Sequence, residues 1–156
     1  MLNRILPKQF DNRFRGRKLA LWIYCLLLFM NVSIALVAIF KGDGGAQSAD
    51  GIPLDTFGDG GARTVIAVVA ILGLAKLLLW SVGVLALFRH RAMIPLMYCV
   101  IVADQLGRKA IGLAKPIVRA GSPTGVYVNW AIIVLSIVGL VLALQGRGYR
   151  SAEEPE

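Results

Sequence analysis

TVIAVVAILGLAKLLLWSVGVLALF, residues 64–88, decides the fold. The run is 25 residues long and carries one charge, Lys76, at its numerical midpoint. At about 1.5 Å of rise per residue a helix of this length covers ~37 Å, more than the ~30 Å hydrocarbon core of a bilayer. A nearly continuous apolar run of that length reads as a transmembrane helix.

Working outward, two further runs repeat the signal. Residues 19–40 hold 22 residues with no formal charge, with Trp22 and Tyr24 near the basic end as expected of interfacial anchors. That length exceeds the ~7–15 residues of a signal-peptide core, so the run is expected to be a retained helix. Residues 126–144 give 19 uncharged residues opened by Tyr127 and Trp130. A fourth run, 94–115, starts with Pro95 in a first helical turn, where its missing N–H is least costly. Its outer half carries Asp104, Gln105, Arg108 and Lys109, which gives it an amphipathic character. The expected fold class is therefore all-α, an integral membrane four-helix bundle with spans 19–40, 64–88, 94–115 and 126–144.

The connecting segments set the expected organisation. Residues 1–18 form a basic cytoplasmic leader, and 41–63 form an Asp- and Gly-rich outer loop. Residues 145–156 form a flexible cytoplasmic tail. The four loop aspartates, Asp43, Asp50, Asp55 and Asp59, do not follow the spacing of a helix–loop–helix calcium site, so a solvated loop is expected. Lys and Arg number ten on the segments that face inward when the N-terminus is cytoplasmic, against six on the outer ones. The positive-inside rule therefore places both termini in the cytoplasm, as in a bacterial inner membrane protein.

Composition agrees. Of the 156 residues 57% are hydrophobic, and mean hydropathy is +0.69, above the ~45–50% apolar content usual for soluble domains. The net charge of +8 sits beside spans rather than on a recognition fold, which argues for anionic lipid headgroups and against nucleic acid. Candidate headgroup contacts are Arg15, Arg17, Lys18, Arg89, Arg91, Lys109, Lys115 and Arg119. Cys25 and Cys99 fall inside apolar runs and read as small apolar residues.

The informative residues are polar ones at membrane depth. A Lys or Asp at a helix centre costs about 2.5–3.5 kcal/mol on insertion scales, so each is expected to have a partner. Spans two and three are joined by a short turn near residue 90, and Lys76 precedes that position by as many residues as Asp104 follows it. Equal distance from the turn predicts equal depth, and a Lys76–Asp104 pair that stabilises the hairpin. Arg108, at i+4, offers Asp104 a second partner. With Asn31, Gln105 and Ser136 these residues form a candidate intramembrane polar site. Small residues (Ala67, Ala70 and Gly73 on span two; Ser136, Gly139 and Ala143 on span four) predict close helix approach.

No zinc-protease, phosphate-loop, nucleophile-elbow or paired-histidine haem motif occurs. The expectation is a non-enzymatic accessory, scaffold or envelope protein with no cofactor and no metal. Its expected partners are lipids, a second copy of itself or another membrane protein. The competing expectation is a small oligomeric transporter or channel-like protein using Lys76 and Asp104 as a proton- or anion-responsive site.

Overall fold

The computed structural model describes residues 12, 14, 16–116, 118–120 and 124–145. Four long helices make up the fold: α1 (Lys18–Phe40), α2 (Asp59–Phe88), α3 (Ile94–Ala114) and α4 (Thr124–Leu144). There is no strand among the described residues. Three of the helices, α1, α2 and α4, are long and apolar enough to cross a membrane. In α3 the three charges Asp104, Arg108 and Lys109 lower the hydropathy, and from Ala110 onward every described residue to Ala120 is exposed.

α1 is the spine. It packs on α2 along one side and on α4 along another, while α3 rests mainly on α4. The α1–α2 seam follows the close approach of glycines on α2. A Cβ at Gly73 would crowd Ala38 and the Ala35 carbonyl, and one at Gly83 would press on Leu28 and the Tyr24 hydroxyl. That hydroxyl donates to the Gly83 carbonyl at 3.0 Å. Across the bundle the Tyr98 hydroxyl of α3 donates to the Ala20 carbonyl of α1, and the Tyr24 and Tyr98 rings meet edge-on with centroids 5.6 Å apart. Tyr24 is thus a core residue with no exposure and not the interfacial anchor expected of it, whereas Trp22 stays 74% exposed. On α4 the expected small-residue stripe of Ser136, Gly139 and Ala143 is buried, and a Cβ at Gly139 would overlap the Tyr98 ring. On α2 the stripe shifts: Ala67 is exposed and Gly83 takes its place in the seam. Large apolar side chains such as Phe29, Ile71, Leu78, Phe88 and Val134 face outward, as a lipid-covered surface requires.

One boundary and the nature of the first loop differ from expectation. α2 begins at Asp59, five residues before the apolar run, so Gly60 and Gly61 are helical rather than loop. The Asp59 carboxylate lies in the first turn, where the exposed N–H groups favour negative charge. The remaining outer loop is folded rather than merely solvated. The Asp43 carboxylate accepts from the Gly45 N–H at 3.0 Å and the Ser48 N–H at 2.8 Å, and Lys41 lies 3.8 Å from it. Gly44 and Gly45 hold φ values of 61° and 79°, which side-chain-bearing residues rarely adopt. The loop is tied to the start of α4, because the Ala120 N–H donates to the Gly51 carbonyl and the Gly125 N–H to the Ala49 carbonyl.

Candidate functional site

α2 and α3 are joined by the short turn at Arg91–Met93 and touch chiefly beside it. Toward the outer end they diverge, and the charged residues of the bundle border this divergence. Arg108 Nε donates to Asp104 Oδ1 at 3.2 Å, one helical turn along α3; the side chains are 46% and 25% exposed. The second oxygen, Asp104 Oδ2, is buried without a hydrogen-bond partner. Lys76 is half-buried on α2. The charges of Arg108, Asp104 and Asp50 all act on its ammonium.

Asp104 therefore pairs with Arg108 rather than with Lys76, and no Lys76–Asp104 ion pair occurs within 4.0 Å among the described residues. Side-chain direction explains why. Gly83, seven residues past Lys76, packs on Met97, seven residues before Asp104, so depth does not separate the two charges. Helical side chains lean toward their own N-terminus, so on these antiparallel helices Lys76 and Asp104 lean opposite ways. Arg108, one turn along α3, is the partner that Asp104 bonds.

The other members of the expected polar site are dispersed. Asn31 is fully buried on the α1–α2 seam, with its Nδ2 donating to the Leu27 carbonyl of its own helix at 2.8 Å. Ser136 is fully buried on α4 and donates to the Ile133 carbonyl at 2.8 Å. Gln105 is buried at 2% exposure beside Asp104 on α3. The expected single layer thus resolves into a charged cluster of Lys76, Asp104 and Arg108, a buried Gln105, and Asn31 and Ser136, which bond their own helices. The missed participant is Asp50. It belongs to the outer loop, which the bonds from Gly125 and Ala120 and the packing of Gly44 on Val69 bring back over the bundle, so nothing local in the sequence marks it.

The basic residues fall at both ends. Arg17 and Lys18 are exposed at the start of α1, and Arg89 is exposed after α2. Arg91 turns back instead, its Nε donating to the Leu87 carbonyl at 3.1 Å and satisfying a helix-end acceptor. At the other end Lys109 places its ammonium 4.5 Å from the centroid of the Trp130 ring, a cation–π contact, while Lys115 and Arg119 are exposed. Arg15 lies outside the described residues. Among the described residues no three His, Cys, Asp or Glu side chains gather as a metal site. Lys76 and Arg108 thus accompany the Asp104 carboxylate, and Asp50 on the loop supplies a second carboxylate.

No family model, curated protein or solved structure matches the chain.

Proposed function

We propose that the protein is a non-enzymatic membrane scaffold or accessory protein that crosses the bacterial inner membrane four times with both termini cytoplasmic. Its outer-leaflet cluster holds the phosphate of an anionic lipid. The observation that carries this reading is that the charges of Arg108 and Asp104 on α3 reach Lys76 on α2, while Asp104 bonds Arg108 only. Two cations offer a phosphate drawn in between the helices two charge-assisted contacts. Asp104 keeps Arg108 oriented. In this reading α3 completes the fourth crossing by turning Asp104 and Arg108 toward the cluster instead of toward lipid.

Native mass spectrometry of protein released from mild detergent tests the proposal. An anionic phospholipid retained by the parent and lost in Lys76→Leu/Arg108→Leu supports it. A parent without retained lipid, or equal retention in the variant, overturns it.

A second reading, an oligomeric transporter responsive to protons or anions, is favoured by the buried, unpartnered Asp104 Oδ2 beside two cations. Its test is flux of protons or small anions in proteoliposomes under a pH gradient, and a sealed membrane rejects it.

A further inference from the structure

Away from the charged cluster, the α1–α2 seam contains two polar atoms that no group among the described residues satisfies. Trp80 Nε1 and Asn31 Oδ1 are both buried without a hydrogen-bond partner, and both residues have no exposure. One is a donor and the other an acceptor.

Their placement is bracketed by contacts on either side. At one end Leu28 approaches Gly83, whose carbonyl accepts from Tyr24; at the other Ala35 and Ala38 approach Gly73. α1 and α2 run antiparallel, so from the Leu28–Gly83 contact the next step outward is three residues along each helix. On α1 that step reaches Asn31, and on α2 it reaches Trp80. Both side chains belong to the buried stripe of their helix: Leu28, Asn31 and Ala35 on one, Gly73, Trp80 and Gly83 on the other. The Asn31 amide is oriented by its bond to the Leu27 carbonyl, which turns Oδ1 away from its own helix backbone as the free acceptor.

The geometry points to a binding site for one water molecule between Asn31 and Trp80, accepting from the indole N–H and donating to the amide oxygen. A hydroxyl group is the smallest partner that supplies both functions at once, and water is the occupant that needs no opening to lipid. Buried waters characteristically join polar atoms of this kind, and the alternative is two uncompensated groups in an apolar interior. The first two helices are thereby bridged through solvent at a seam that also carries the Tyr24 hydroxyl bond to the Gly83 carbonyl.

The experiment uses full-length protein in nanodiscs with Trp22→Phe and Trp130→Phe, at two outward-facing positions, so that a single indole N–H remains. A nuclear Overhauser contact between the Trp80 indole proton and water is expected, and it disappears in Asn31→Leu. An indole proton with no water contact, or one coupled directly to the Asn31 oxygen, overturns the site. A contact that persists unchanged in Asn31→Leu also overturns it. Where Asn31→Leu does not fold, a high-resolution density map of the parent decides. One peak about 3 Å from both atoms sustains the site, and continuous apolar packing between them removes it.

Discussion

Arg108 bonds Asp104 within α3, and Lys76 of α2 makes no ion pair with either although both charges act on its ammonium. The consequence is that the two charged helices are not locked to each other by opposite charges. Lys76 works as an outward-reaching lysine whose stem lies against apolar surface.

Replacing Lys76 should accordingly be cheap. No ion pair is broken, and removing a lysine from an apolar helix relieves an insertion cost. Lys76→Leu is expected to lower stability by no more than about 0.5 kcal/mol, against about 3–5 kcal/mol for breaking a buried pair. Reversible denaturation in mixed micelles measures the difference.

Crosslinking distinguishes the two helix pairs directly. In a Cys25→Ser/Cys99→Ser background, Lys76→Cys with Asp104→Cys should fail to form a disulfide under mild oxidation. Ala38→Cys with Gly73→Cys should form one readily. A Cβ at Gly73 would lie 2.7 Å from that of Ala38, a spacing that a small relaxation opens to the ~3.8 Å of a disulfide. Efficient crosslinking of the first pair would contradict the divergence of α2 and α3.

The α3–α4 contact is tight at one point. Gly139→Ala sets a methyl group into the Tyr98 ring, and overpacking of this kind costs about 1–3 kcal/mol. Tyr98→Phe removes only the bond to the Ala20 carbonyl, worth about 0.5–1.5 kcal/mol. Combined with Tyr98→Ala, Gly139→Ala should lose most of its own penalty, a coupling that a double-mutant cycle reads.

The outer loop carries its own pH response. Burial pushes the Asp43 carboxyl up, but bonds from Ser48 and Gly45 and the charge of Lys41 outweigh it and bring the carboxyl down from 3.8 to about 2. A depressed carboxyl stabilises the fold above its ordinary value and loses that contribution as pH falls through about 2. Amide exchange at Gly45 and Ser48 should stay slow at pH 5 and accelerate below about pH 3. Exchange already fast at pH 5 would remove Asp43 as the organiser of the turn.

Three helices are legible in the sequence because lipid leaves no choice for an uncharged run of twenty residues: 19–40 and 126–144 reappear almost to the residue. The start of α2 is not, since Gly60 and Gly61 read as breakers and only the favourable Asp59 terminus carries the helix through them. The charged pairing was legible only in part. Counting from the turn places Lys76 and Asp104 at one depth but leaves their facing open, and Asp104 bonds Arg108 on its own helix instead. Asp50 and Trp80 left no local trace. One depends on where a loop folds back, the other on which face of an apolar helix meets its neighbour, and uniform hydrophobicity hides that face.

The arrangement around α1 also orders assembly in time. α2 finds its seat on α1 as soon as it emerges, but α3 has almost nothing to lean on there beyond Tyr98 and its hold on Ala20. The helix with the weakest claim on lipid thus waits for the last one to be made. A nascent chain ending before α4 would lack the helix on which α3 mainly rests, and synthesis of the 21 residues of α4 would supply it.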